Sequence, residues 1–179
     1  KTCTDVNECP QAWTWVFGKQ GVAGWTLDPP SVAGSNVQWQ LFEGRLYYGN
    51  GTNFDALGQR NAGKATGPVI TMSNHPVHRL GFDLWMATEE GPAYDLMNVI
   101  LLVGGQPVTV WAKAQQAVPM GQWKRYTVEL TGYAGKQVAL QFAFDSMDQY
   151  GNDGKGIYLD NLEILGAGAP CSLQATCTN

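Results

Sequence analysis

The chain has 179 residues, a formal net charge of −4 at pH 7 and only 15% charged residues. That balance argues against a nucleic-acid surface, which needs clustered Lys and Arg. Hydrophobic residues at 44% suffice for a sizeable core and argue against disorder, while 22 Gly and 11% aromatics favour turns and strands over helices.

Residues 1–10 (KTCTDVNECP) are polar and carry Cys3 and Cys9. With no starting Met, the chain reads as an excised fragment or a mature product. The body spans 11–165. Alternating or apolar runs predict strands over 13–17, 39–42, 45–48, 66–72, 79–87, 97–103, 108–112, 125–130, 137–144 and 157–164. Turn residues separate them: Asp28-Pro29-Pro30, Gly49-Asn50-Gly51 as a hairpin tip, Ser73-Asn74-His75-Pro76, Gly104-Gly105, and the polar loop around Gly151. The longest apolar run, 96–103, is interrupted by Asn98 and is too short to cross a bilayer, so no membrane insertion is expected. Residues 166–179 are small and polar and carry Cys171 and Cys177. Both termini read as linkers or edges of neighbouring modules. Cysteines confined to the two ends suggest disulfides in an oxidising compartment, paired locally or end to end; their spacings are wider than ordinary zinc-ligand pairs.

Many short strands with regular turns indicate an all-β sandwich or barrel. The ordered features also resemble a known family. They are Gly24-Trp25, Trp39, Leu46-Tyr47-Tyr48-Gly49, Gly67-Pro68-Val69-Ile70, Leu80-Gly81-Phe82-Asp83-Leu84-Trp85, Glu90, Tyr94-Asp95, Trp123, Tyr126-Thr127-Val128-Glu129-Leu130, Tyr133-Ala134-Gly135 and Gly156-Ile157-Tyr158-Leu159-Asp160-Asn161-Leu162. Together they resemble the MAM-like jelly-roll domain found in secreted bacterial proteins beside peptidases such as immune inhibitor A. The resemblance implies a jelly-roll β-sandwich of two antiparallel sheets with no catalytic role. It also implies a structural calcium near the acidic residue of the last strand. That role falls on Asp160, with Glu90 and Asp95 as further ligands. The chain departs from the pattern after Phe17, where Gly18 and Lys19 stand in place of an acidic residue. Asp5-Val6-Asn7-Glu8-Cys9 is similar to the opening of a calcium-binding EGF-like module, whose further cysteines do not follow.

Asp160 lies in an otherwise apolar run, so its carboxylate must be neutralised, hydrogen-bonded or bound to a cation. The loop 88–95 holds three carboxylates, Glu89, Glu90 and Asp95, and 145–153 is also oxygen-rich. Both suit a hard cation by chemistry, and both also read as solvated turns. Trp25, Trp39, Trp85, Trp111 and Trp123 fall at strand positions and are expected in the core, as is the Trp13-Thr14-Trp15 stripe continued by Phe17. Tyr48, Tyr94 and Tyr150 sit at predicted loops or strand ends and are the expected ligand contacts. The two histidines, His75 and His78, make a poor metal site. No nucleophile elbow, zinc-protease motif or phosphate loop is present in the sequence. The expected role is a module of a larger secreted or cell-surface protein that binds a glycan or a protein surface and is not an enzyme. The rivals are an adhesive or structural spacer and a jelly-roll polysaccharide-active enzyme.

Overall fold

The structure, a computed structural model, describes residues 12–166. Expectations for Cys3, Cys9, Cys171 and Cys177 lie outside the described residues. The body is a jelly-roll sandwich of two antiparallel sheets. The first holds β3 (Gln38–Phe42), β4 (Arg45–Gly49), β11 (Gly156–Leu165), β6 (Arg79–Ala87) and β9 (Lys124–Glu129) in that order, and β1 (Ala12–Trp15) also pairs with β11. The second holds β2 (Thr26–Leu27), β5 (Ala62–Thr71), β10 (Gln137–Asp145), β7 (Leu96–Val103) and β8 (Gln106–Ala112).

The inward faces follow the alternation of the sequence. Leu80, Phe82, Leu84 and Met86 of β6 face Val138, Leu140, Phe142 and Phe144 of β10 across a continuous apolar core. Aromatic rings bridge the layers. Trp25 stacks on Phe142 at 6.0 Å, and Trp39 donates its indole N–H to the Gly63 carbonyl at 3.0 Å. Gly63 and Gly67 sit beneath the rings of Tyr48 and Trp25, where a β-carbon would press within 3.1 and 3.2 Å.

A β-bulge interrupts β11 between Asp160 and Glu163, with Asn161 at φ 51°. It flips the alternation, so that Ile157 and Leu159 before it and Leu162 and Ile164 after it all point into the core. Three expectations need correction. The β3–β4 hairpin turns at Glu43 and Gly44, both at positive φ, and Gly49-Asn50-Gly51 instead opens the loop to β5. There the Asn50 side chain closes an Asx turn on the Thr52 and Asn53 N–H groups. The first strand ends at Trp15; Phe17 is buried but opens α1 (Phe17–Gln20), a single helical turn. β5 begins at Ala62, four residues before the expected start, because β10 supplies its partners despite the weak strand preference of Ala62-Gly63-Lys64-Ala65.

Candidate functional site

The outer face of the first sheet carries two adjacent rows of side chains. In β6 the core takes Leu84 and Met86, so Asp83 and Trp85 turn outward. Register then places Tyr47, Tyr158 and Trp85 side by side across β4, β11 and β6. Tyr47 and Tyr158 pack at 4.6 Å between centroids, Trp85 and Tyr158 at 5.4 Å, and Phe42 and Tyr47 at 5.1 Å. Trp123, just before β9, is 46% exposed, and the Arg45 guanidinium lies 5.3 Å over its ring. The second row holds Asp160, Asp83 and Arg125 as successive cross-strand partners. From β4 to β9 the face spans about 14 Å at 4.8 Å per strand step.

Asp83 and Asp160 stand directly opposite each other, an arrangement that costs stability unless the charges are met. They are met from several sides. Arg125 donates to Asp83 Oδ1 at 3.1 Å, to the Asn161 carbonyl at 2.6 Å and to Glu163 Oε2 at 3.2 Å. The Asn161 amide donates to Asp83 Oδ2 at 2.7 Å, which the bulge makes geometrically accessible. Gly81 lies beneath Arg125, where a β-carbon would meet Nη2 at 2.5 Å, so the guanidinium lies flat on the sheet. Asp160 Oδ1 accepts the Phe17 N–H at 3.1 Å, at the start of α1. Arg45, Asp83, Trp123, Asp160 and Asn161 line a hollow of about 220 Å³. Burial pushes the Tyr158 hydroxyl above the ordinary phenol range. Tyr47 and Tyr158 are buried, so the accessible aromatic surface is Trp123 with the half-buried Trp85 and Phe42. Beside them lie fixed carboxylates and guanidiniums that can accept from and donate to hydroxyl groups.

By contrast, the register of the second sheet turns Lys64, Ala143 and Asn98, then Thr66, Gln141 and Ile100, outward. Its strands present no aromatic ring on that face. A groove of about 750 Å³ runs between Glu90-Gly91-Pro92 and the segment 113–120 at one end of the sandwich.

The residues expected from the sequence are dispersed. Among the described residues no group of three or more His, Cys, Asp or Glu side chains converges. Asp160 belongs to the outer charged row. Glu90 is exposed in the end groove, while Asp95 is fully buried. Glu90, Asp95 and Asp160 therefore do not form one cluster, because the middle of β11 and the loop after β6 lie at different levels of the sheet. Asp95 Oδ2 accepts the Glu89 N–H at 2.6 Å, and burial pushes its carboxyl up to about 7. Buried Lys113 donates Nζ to the Glu89 and Tyr94 carbonyls at 2.6 and 2.9 Å, and burial lowers its pKa.

Tyr48 is not a surface contact. Alternation in β4 turns Leu46 and Tyr48 inward, and the Tyr48 hydroxyl donates to Asn61 Oδ1 at 2.9 Å within the core. Tyr94 and Tyr150 are 46% and 68% exposed on loops that leave the sheet at the Ala87–Gly156 edge, just past the aromatic row. Trp25, Trp39 and Trp111 are buried as expected, but Trp85 and Trp123 are not core residues. The sequence reading missed both, together with Arg45 and Arg125. The signal was present: strand parity places Trp85 opposite in phase to Leu84 and Met86, and Trp123 in phase with the polar Arg125 and Thr127.

No family model matches the chain, and no curated protein matches it. Solved structures do. The K1 cleaved adhesin domain of Lys-gingipain from Porphyromonas gingivalis W83 is 17% identical, with a TM-score of 0.56, and the match covers 86% of this chain and 97% of that one. The K3 cleaved adhesin domain of the same protein gives 18% identity and a TM-score of 0.55, over 85% and 97%. TmCBM61, solved in complex with β-1,4-galactotriose, gives 10% identity and a TM-score of 0.53, over 83% and 92%. The chain shares the β-sandwich fold of adhesin and carbohydrate-binding domains.

Proposed function

We propose that this domain is a non-catalytic glycan-binding module of a secreted or cell-surface protein, and that it belongs among the MAM-like jelly rolls its sequence resembles. The outer face of the first sheet is the binding surface. One observation carries the reading: solvent-exposed Trp123 and half-buried Trp85 and Phe42 border a row of fixed charged groups, Arg45, Asp160, Asp83 and Arg125, on one rigid sheet. Pyranose rings present an apolar C–H face and a rim of hydroxyls. The aromatic edges take the first, and the charged row takes the second. All of these groups except Trp123, which immediately precedes β9, are held on sheet strands, so little ordering accompanies binding. One solved structure of the same fold is a complex with β-1,4-galactotriose, which supports a glycan over other small molecules. No helix among the described residues is long and apolar enough to cross a membrane.

Native affinity electrophoresis tests this in gels cast with a panel of soluble polysaccharides, β-1,4-galactan among them. Retardation of the wild type by at least one polysaccharide, lost in Trp123→Ala, is expected. Free migration of the wild type through the whole panel would instead favour an adhesive or spacer module without a glycan ligand.

A further inference from the structure

Three buried oxygens in one place have no hydrogen-bond partner. They are Glu89 Oε2, Asp95 Oδ1 and Asn152 Oδ1. Asp95 is 0% and Asn152 3% exposed. The groups belong to two loops that the fold presses together. Asp95 donates its N–H to the Ser146 carbonyl and accepts the Glu89 N–H through its other oxygen. The Glu89 carboxyl packs on Gly151, where a β-carbon would sit 2.5 Å from Cδ and 2.9 Å from Oε1. Asn152 follows at once. Its amide donates to the Asp148 carbonyl at 3.3 Å, which fixes its Oδ1 as the free atom. Ser146 Oγ donates to the same carbonyl at 2.7 Å.

All three orphaned atoms are acceptors, two of them on carboxylates. Leaving them bare in a buried site is costly. The near cation does not reach them. Lys113 Nζ is committed to two carbonyls, and it forms no ion pair with either carboxylate among the described residues. What the pocket lacks is a positive centre that takes several oxygens at once. An all-oxygen set that mixes carboxylate and amide suits calcium, which accepts irregular coordination completed by carbonyls and water. Magnesium demands a near-ideal octahedron, and zinc prefers nitrogen and sulfur.

We propose that loops 88–95 and 146–153 form a calcium site whose side-chain ligands are Glu89, Asp95 and Asn152. This site is separate from Asp160. It ties together the two loops that carry Tyr94 and Tyr150 at the edge of the aromatic row. It stands apart from the glycan reading, since calcium binding is measured without any sugar.

The test is metal analysis of the purified protein, followed by calorimetric titration of EDTA-stripped protein with calcium chloride and thermal unfolding of each form. The expected result is about one calcium per chain and a rise of several degrees in Tm on calcium addition. Asp95→Asn and Glu89→Gln should each weaken calcium about tenfold or more, since ligand charge sets affinity over orders of magnitude. Asn152→Asp should tighten it and lower the Tm of the stripped form, a pair of opposite shifts that mere unfolding does not produce. Two results would overturn the site. One is a wild type that carries no calcium and shows neither heat nor a Tm shift at millimolar calcium. The other is calcium binding that survives Asp95→Asn and Glu89→Gln but is abolished by Asp160→Asn.

Discussion

Replacing Tyr48 by Phe removes one hydroxyl from the buried end of β4 and leaves the ring in place. The hydroxyl donates to Asn61 Oδ1 at 2.9 Å. Asn61 is 1% exposed and is otherwise satisfied: its amide donates to the Phe54 and Gln59 carbonyls at 3.1 and 3.3 Å, and its backbone pairs with Ser146. The substitution therefore strips one partner from a closed network and leaves a buried acceptor without it. A lost hydrogen bond with an orphaned buried partner costs about 1–2 kcal/mol. For a domain of this size, that lowers Tm by about 2–8 °C. Ring packing against Trp39 at 5.3 Å and Phe144 at 4.7 Å is unchanged, so the fold and the outer face persist. Calorimetric unfolding beside a glycan titration checks the reasoning. A lowered Tm with unaltered glycan affinity is expected. Weakened glycan binding at an unmoved Tm would show that Tyr48 reaches a ligand and that its inward orientation is wrong.

Gly156→Ala tests the start of β11. Gly156 adopts φ 93°, and a β-carbon there would collide with the Tyr48 carbonyl oxygen. Neither backbone can move without breaking the β4–β11 ladder, so a loss of about 3 kcal/mol or more is expected in denaturant unfolding, and wild-type stability would refute the local geometry. Asp145 gives a pH test. Arg60 donates to both of its oxygens at 2.9 and 2.7 Å and holds its carboxyl below the usual range. A depressed folded-state pKa means that the pair stabilises above the ordinary Asp pKa and that this contribution is lost as pH falls through the lowered value. The Tm advantage of wild type over Asp145→Asn should therefore be present near neutrality and vanish in acid; a constant difference across that range would show that the pair does not act through charge.

Much of the fold was legible because alternation carries it. In β6, β9 and β10 the apolar phase alone selects the inward face, and Gly104-Gly105 marks the β7–β8 turn, with both residues at positive φ. The hairpin at Glu43-Gly44 was less visible, since Gly49-Asn50-Gly51 at the end of β4 competes with it as a turn signal. The two-residue strand β2 has no periodicity to read and exists only through its pairing with β5. The site was harder to see for a different reason. Aromatic residues suit the core by composition, so Trp85 and Trp123 read as core although their parity is outward. The bulge at Asp160–Glu163, which brings Asn161 over Asp83, shifts the phase by one residue in a way that only pairing with β6 reveals. The two oxygen-rich loops were both visible. Their convergence through Asp95 and Ser146 was not, because it depends on β7 and β10 lying side by side.

The central claim is that the outer face of the first sheet binds glycan through exposed Trp123 and its half-buried neighbours Trp85 and Phe42. Isothermal titration of the polysaccharide that retards the wild type, repeated on Trp123→Ala, tests it most directly. Trp123 packs under Arg45 at the surface and carries no core contact that the fold needs. The account predicts an affinity loss of about 30-fold, the equivalent of about 2 kcal/mol for a well-placed Trp, with unchanged Tm. Equal affinity in the variant and the wild type would place the glycan elsewhere on the sandwich and contradict the assignment of this face.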